Sequence, residues 1–308
     1  MTMGLGGLGP ETDLLLSEPE GGVVYSEGSS FRLALRSFME NRLAIAGAVI
    51  LVFFVLFSFV GPFVYHSNQS AGDLLQAHLP PRQGHPLGTD TSGFDELGRM
   101  MKGGQTALEI GLLSALIATV VGTLWGAIAG LAGGVVDGIL MRIVDIGLSI
   151  PTLFIILILA DRYNATVLSF ALVIGLNQWL APARLVRGEV LTLRVRDYVS
   201  AARAMGASRT RLISRHLIPN ALGVVIVNVT FQIADAILYT SVVGFLGFGL
   251  NYPNVDWGDQ LSDGVDQLLN GYWWLIYPVG ACLILTVMAF NFIGDALRDA
   301  IDVRLRKR

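Results

Sequence analysis

Charge is scarce in this chain. Asp, Glu, Lys and Arg together make up 15% of its 308 residues, whereas 53% are apolar. Soluble domains carry about 25% charged residues, and the mean hydropathy here is +0.60. These values exclude an ordinary soluble globule and point to an integral membrane protein. Cysteine is almost missing: Cys282 stands alone in an apolar run, which excludes an internal disulfide. No basic residue precedes Arg32 and no cleavage site follows a short apolar core, so no cleaved signal peptide is expected. Residues 1–30 read as a flexible tail. Gly4, Gly6 and Gly9 spell G-x-G-x-x-G, but no strand leads into them, so no nucleotide site is expected there. No G-x-x-x-x-G-K-[ST] occurs, so the chain has no P-loop with which to cradle nucleotide phosphates. There is no H-E-x-x-H either. His66, His78 and His85 share a loop with Asp73, Asp90, Asp95 and Glu96 at long, irregular spacings, and no metal site is expected from them.

What the chain has in abundance is long apolar windows, at about 43–65, 106–132, 139–160, 165–181, 220–246 and 275–296. An all-α membrane protein of about six transmembrane helices follows. Gly61-Pro62 marks the exit of the first helix from the hydrocarbon. With the N-terminus inside, 17 of the 21 Lys and Arg fall on the cytoplasmic side, and only Arg82, Arg99, Lys102 and Arg162 fall outside. The positive-inside rule therefore predicts cytoplasmic N- and C-termini. The outer connections are residues 66–105 and 248–275. The second contains no Lys or Arg, and Trp257, Tyr272, Trp273, Trp274 and Tyr277 suit the outer interface. In the second span Ser114, Ala118, Gly122, Gly126, Gly130 and Gly134 recur every four residues. This small-residue stripe predicts a packing seam, within the chain or against a partner subunit.

One segment breaks the apolar pattern: YVSAARAMGASRTRLISRHLIPNAL, 198–222, inside a connection from Pro182 to about residue 217. Its spacing predicts two short helices, with Asp197 capping the first, Gly206 supplying a left-handed stop and Ser208 capping the second. Pro219 is expected to open the fifth span, where its missing amide hydrogen costs least. Ala201, Ala202 and Met205 form a shallow apolar face, ringed by Arg203, Arg209, Arg211 and Arg215. Two readings fit: an interfacial helix pair resting on anionic lipid, or a docking knob for a soluble partner.

In the fifth span Asn228, Gln232, Asp235 and Tyr239 share one helix face. Polar groups in hydrocarbon face protein or water, so this face either lines a permeation route or holds subunits together. Near the inner end of the third span Arg142 and Asp145 are expected to pair, and Pro151 to kink the helix a turn later.

Ser200-Ala201-Ala202, Gly206 and Ile218-Pro219 resemble the EAA loop of permease subunits of binding-protein-dependent ABC importers. HPLGTDTSGFDELGR at 85–99, GGVVDGILMRIVDIGLSIPTL at 133–153, FLGFGLNYPNVDWG at 245–258 and GDALRDAIDVRLR at 294–306 resemble the dipeptide and oligopeptide permeases of the "C" type. The likeness runs from about residue 31 to 308, which it implies is one permease domain of the type I importer fold. It implies a cytoplasmic coupling helix between helices 4 and 5, with Ser200, Ala201, Ala202, Arg203, Met205, Gly206, Arg209 and Pro219 engaging the ATPase. It further implies a second, homologous permease subunit, two cytoplasmic ABC ATPase subunits or a fused one, and an extracytoplasmic substrate-binding protein, with membrane lipid around the assembly and no nucleic acid. ATP and Mg2+ would sit on the ATPases, and this chain would bind no cofactor. Ser200 stands where the family usually carries Glu, which removes one expected salt bridge but not the docking shape; His216, Ile218 and Val303 also depart from the family's usual Ile, Leu and Pro.

Outside the membrane, Asp256, Asp259, Asp263 and Asp266 are expected along one helix face, as a solvated acidic surface or a patch for the binding protein or cationic peptides. The rival to the importer is an ion-gradient-driven secondary transporter with Asp235 as its ion site, active without an ATPase.

Overall fold

The computed structural model describes residues 38–306 except 70 and 163–165; the N-terminal tail and its glycine motif lie outside them. Among the described residues there are helices and turns but no β-strand. Helix α1 spans Arg42–Phe59 and is capped by Asn41, whose Oδ1 accepts from the Leu43 and Ala44 amides at 3.0 and 3.3 Å. A single turn, Gly61–Val64, follows where Gly61-Pro62 was expected to end the first span. The chain continues through α2 (Glu96–Ala132), α3 (Gly134–Ser149), α4 (Thr152–Arg162), α5 (Val167–Gln178), α6 (Leu180–Leu193), α7 (Asp197–Ala204), α8 (Ile218–Val243), α9 (Trp257–Gln267) and α10 (Tyr277–Arg306).

Four helical stretches are long and apolar enough to cross a membrane: Arg42–Phe59, Glu96–Ala132, Arg209–Phe248 and Trp273–Ile301. A fifth is the pair α3 and α4, bent by 77° at Ile150-Pro151. The bend is the expected proline effect, sharpened to a break: Ile150 is extended at φ −94°, ψ 128°, as a residue before proline prefers, and α4 restarts after the ring. The window at 165–181 is only partly filled by α5, whose 12 residues rise about 18 Å, short of the roughly 20 residues a bilayer needs; the helical path resumes in α6 after Trp179.

Helix α2 is the central post. It has 37 residues, a rise of about 56 Å, and it packs against α6, α8, α5 and α1. It starts ten residues before its apolar window, because Asp95 caps it by accepting from the Gly98 amide at 2.9 Å. The small-residue stripe is the reason α2 can be central. A Cβ on Gly122 would lie 2.7 Å from Pro182 Cβ, and one on Gly130 would lie 2.8 Å from Val190 Cγ1. At Gly126 it would strike the Ala183 carbonyl and the Arg187 amide nitrogen. Ser114 Oγ donates to the Ala171 carbonyl of α5 at 3.2 Å, and Ala118 is fully buried. The seam is therefore internal, joining α2 to α5 and α6. Gly134 is not part of it: with φ +54° and no neighbour within 4 Å, it turns the corner from α2 into α3.

At the end of the molecule remote from α7, two of the aromatic residues assigned to the outer interface are core residues instead. Trp257 is fully buried, donates Nε1–H to the Met100 carbonyl at 3.0 Å and lies over Gly103 and Gly104. Trp274 is also buried, while Trp273 and Tyr277 remain exposed. Nor is the acidic run simply a solvated surface. Asp256, 1% exposed, caps α9 and accepts from the Asp259 and Leu250 amides at 2.9 and 3.3 Å. Burial pushes its carboxyl up to about 6 against the lowering pull of those backbone donors. Asp263 and Asp266 are exposed.

Candidate functional site: an arginine-rich elbow and a polar cavity

The connection expected as a loop over 182–217 is mostly helical, and its first third, through Leu193, belongs to α6. Only Arg194–Arg196 separate α6 from α7. The N-cap of α7 lies one residue earlier than expected: Arg196 occupies it without a side-chain bond, and Asp197 is the first helical residue, where its negative charge favourably complements the positive end of the helix dipole. The left-handed stop at Gly206 is the expected one. Gly206, at φ +83°, donates to the Arg203 carbonyl and Ala207 donates to the Ala202 carbonyl, both at 3.0 Å, the paired bonds of a Schellman motif. Ser208 then caps the turn Arg209–Leu212 by accepting from the Arg211 amide at 3.3 Å. Pro219 sits in the first turn of α8, as expected, but α8 is not an independent helix. A π-helical turn over Ile213–Leu217 runs into α8 without interruption, the whole stretch from Arg209 to Phe248 being one apolar span, and Asn220 Nδ2 donates to the His216 carbonyl at 2.6 Å beside the proline.

The elbow has two sharply different faces. Val199, Ala202, Leu212 and Leu217 are buried against Ala127 of α2, Val186 and Val190 of α6 and Val225 of α8. Ala202 therefore belongs to the inner face, not to the shallow apolar patch. Ser200, Ala201, Arg203, Ala204, Met205, Gly206 and Arg209 are exposed, Met205 at 82%. The apolar outer patch is thus Ala201, Ala204 and Met205, bordered by Ser200 and Arg203.

Two arginines of α6 and Arg194 at its C-cap tie this elbow to α2 and α3, an arrangement the sequence did not disclose. Arg187 grips Asp137 with both prongs of its guanidinium, Nε to Oδ1 and Nη2 to Oδ2, each at 2.6 Å. Arg194 Nη1 donates to the Gly130 carbonyl at 2.9 Å. Arg184 pairs with Asp145 at 2.5 Å. The local pair expected between Arg142 and Asp145 is replaced by this one, because α6 crosses α3 and brings Arg184 to the carboxylate. Sequence spacing reveals neighbours on one helix but not partners 39 and 50 residues away.

In the span of α8 the four polar residues do share a cavity. Asn228, Gln232, Asp235 and Tyr239 line a space of about 150 Å³ with Leu148 of α3, Thr152 of α4 and the α5–α6 junction from Asn177 to Pro182. Their environments differ. Gln232 is buried and bound within the chain: Oε1 accepts from Thr119 Oγ1 at 3.1 Å and Nε2 donates to the Gln178 carbonyl at 3.4 Å. Asp235 is exposed, and Asn228 and Tyr239 are half-buried. Asn177 Oδ1 and Gln178 Oε1, buried and without a partner in the chain, add two polar atoms to the same region. The dipeptide Asn-Gln closing an otherwise apolar run was the signal for them. Asn228 and Phe231 also line a second cavity of about 450 Å³ toward the elbow end, together with Glu189 and Arg298.

The outer histidines are spread by the fold. His85 is held between Asp95 Oδ2 at 2.9 Å and Gln76 Oε1 at 3.0 Å, whereas the His78 ring stacks on Tyr272. No group of three or more His, Cys, Asp or Glu that could hold a metal occurs among the described residues.

Apolar spans around one central helix, a polar cavity between them and a rigid basic elbow at one end define a multi-pass membrane permease. The chain belongs to the family described as "Binding-protein-dependent transport system inner membrane component", which it matches over residues 122–307, and is a multi-pass inner-membrane protein. Residues 29–81 match "N-terminal TM domain of oligopeptide transport permease C". Among its relatives, it is 40% identical to the oligopeptide transport system permease protein OppC of Escherichia coli K12 over 275 residues, 89% of this chain and 91% of that protein. It is 35% identical to the dipeptide transport system permease protein DppC of Bacillus subtilis over 274 residues, 89% of this chain and 86% of that protein. It is also 35% identical to the probable D,D-dipeptide transport system permease protein DdpC of Escherichia coli K12, over 94% of this chain and 97% of that protein.

Proposed function

We propose that this chain is one half of the membrane pathway of an ATP-driven peptide importer, and that its elbow is the handle by which a cytoplasmic ATPase moves it. The partners are a homologous permease subunit, two ABC ATPase subunits or a fused one, and an extracytoplasmic binding protein that delivers the peptide. ATP and Mg2+ belong to the ATPases; this chain is not itself an enzyme and binds no cofactor. The observation that carries the reading is the two-faced elbow. A helix resting on headgroups would turn its main apolar face toward lipid, whereas here Val199, Leu212 and Leu217 are buried in the chain's own core, and the outward side carries Ser200, Ala201, Arg203 and Ala204 with only Tyr198 and Met205 as large exposed apolar groups. Rigid anchoring inside with a shallow, charge-bordered patch outside suits transmission of force to a separate protein. The relatives' names, oligopeptide and dipeptide permeases, support peptides as the cargo.

In this scheme ATP binding closes the two ATPases, carries the two elbows together and opens the permease halves outward; hydrolysis resets them. Each ligand shifts these populations only by its difference in affinity for the two states. Peptide passes along the face of α8 bearing Asn228, Asp235 and Tyr239, while Gln232 keeps that face in register with α2 and α5.

The test is transport by the chain alone and in its complex, with Asp235→Asn in both. Reconstituted alone, the chain moves no peptide under an imposed ion gradient. With its partners, binding protein and ATP, it does. Asp235→Asn leaves assembly intact and lowers ATP-driven uptake about tenfold, a loss of about 1.4 kcal/mol of stabilisation along the route. Gradient-driven uptake by the chain alone would establish the secondary transporter, and lost assembly would assign Asp235 to subunit packing.

A further inference from the structure

The α6 arginines carry an inference that rests on the importer reading and deepens it. We propose that the Asp137–Arg187 ion pair is a positioning device that makes the broken span α3–α4 follow the elbow, so that movement of α7 reaches the polar cavity.

The path can be followed residue by residue. Arg194, the C-cap of α6, lies three residues before the start of α7 and donates to the Gly130 carbonyl in the last turn of α2. The corner from α2 to α3 is two successive glycines with positive φ, Gly133 at +65° and Gly134 at +54°, a joint with no side chains of its own to stiffen it. Asp137, one turn beyond the corner and 9% exposed, is held by both prongs of Arg187. Arg187 can reach it because Gly126 and Gly130 let the α6 backbone lie directly on α2; their absent Cβ atoms would meet the Arg187 amide nitrogen and carbonyl. Farther along, Arg184 takes Asp145. The clamp thus grips α3 at two points on one side of a soft corner, while the other end of α3 is the 77° break. Leu148 and Thr152, on the two sides of that break, line the cavity that also holds Asp235.

These features fit a lever. A two-pronged ion pair whose carboxylate is 12% and guanidinium side chain 31% exposed keeps its geometry better, while the elements it joins move as one body, than the single-pronged Arg184–Asp145 pair at 56% and 48%. The joint at Gly133-Gly134 bends, the clamp does not, and the displacement emerges at Leu148 and Thr152. Asp137 and Arg187 contact neither ATP nor peptide in this scheme; they act by placing α3.

The experiment measures peptide imported per ATP hydrolysed by the full complex in proteoliposomes with loaded binding protein. Asp137→Asn and Arg187→Gln are expected to assemble and to hydrolyse ATP at no less than about half the wild-type rate, while the ratio of peptide to ATP falls about tenfold, within the usual range of coupling between sites. The charge swap Asp137→Arg with Arg187→Asp is expected to recover the ratio to within about threefold, as a coupled pair should. Single variants that keep the wild-type ratio overturn the inference. So does a parallel fall in uptake and hydrolysis, or loss of assembly in the singles and the swap alike, because either assigns the pair to folding. A wild-type complex that imports nothing on ATP would instead defeat the importer reading itself, so the two failures are distinguishable.

Discussion

Two neighbouring alanines should give opposite phenotypes when each is replaced by arginine. Ala201→Arg leaves the chain folded and inserted but lowers ATP-driven uptake about a hundredfold, because a long cation then occupies the small patch of Ala201, Ala204 and Met205 on which a partner must close. A hundredfold corresponds to about 2.7 kcal/mol of lost docking, the size of a single interface hot spot. Ala202→Arg acts on folding instead. Ala202 is 6% exposed, among Val199, Leu212 and Leu217, and an unpaired buried guanidinium there costs about 3–5 kcal/mol. Uptake assays read with the yield of folded chain in detergent separate the two. Equal effects on folding at both positions would mean that the elbow has no outward working face.

The second large effect is predicted at the α2–α6 seam. Gly126→Leu should lower the thermal unfolding midpoint of the purified chain by an amount equivalent to about 3 kcal/mol, since overpacking costs about 1–3 kcal/mol even where neighbours are free to shift. Here the obstruction is backbone, the Ala183 carbonyl and the Arg187 amide. In a bilayer close approach is what drives helix association, so moving α6 outward forfeits the contacts that hold the elbow. Gly138→Leu, at an exposed helix-interior glycine with nothing within 4 Å, is the control and should leave the midpoint unchanged or raise it, by up to about 1 kcal/mol from helix propensity alone. An unchanged midpoint for Gly126→Leu would show that the seam tolerates separation.

Much of this architecture was legible in the sequence, and the reasons are physical. Apolar windows and four-residue spacing of small residues depend only on helix geometry, so the Gly122–Gly130 seam and five of the six expected spans could be read directly, one of the five as the bent pair α3–α4, whereas the sixth expected span, at 165–181, is only the 12-residue α5. The Schellman stop at Gly206 and the Ser208 cap were equally local. Failures came where a long-range partner decides the outcome. Trp257 reads as interfacial from its sequence surroundings, yet Gly103 and Gly104 on a helix far upstream open a slot for it. Asp145 has an arginine three residues before it but pairs with Arg184, because α6 folds across α3. Ala201 and Ala202 are indistinguishable by type, and only the register of α7 against Val186 and Val190 sends one outward and the other into the core. In α8 the shared polar face was legible, but its division was not: Gln232 is committed to Thr119 and Gln178, leaving Asp235 free to face the cavity.

In the proposed importer a separate ATPase grips the outer patch of the elbow. The most direct measurement replaces Met205 with cysteine in a chain carrying Cys282→Ser, then cross-links with a short thiol-to-amine reagent in the assembled complex, with and without ATP. The expected result is a single major adduct between position 205 and an ATPase subunit, altered in yield by ATP and absent when the thiol is placed at Leu116, an exposed apolar position within the α2 span. Labelling of position 205 by lipid-soluble reagents with no adduct to the ATPase would contradict it.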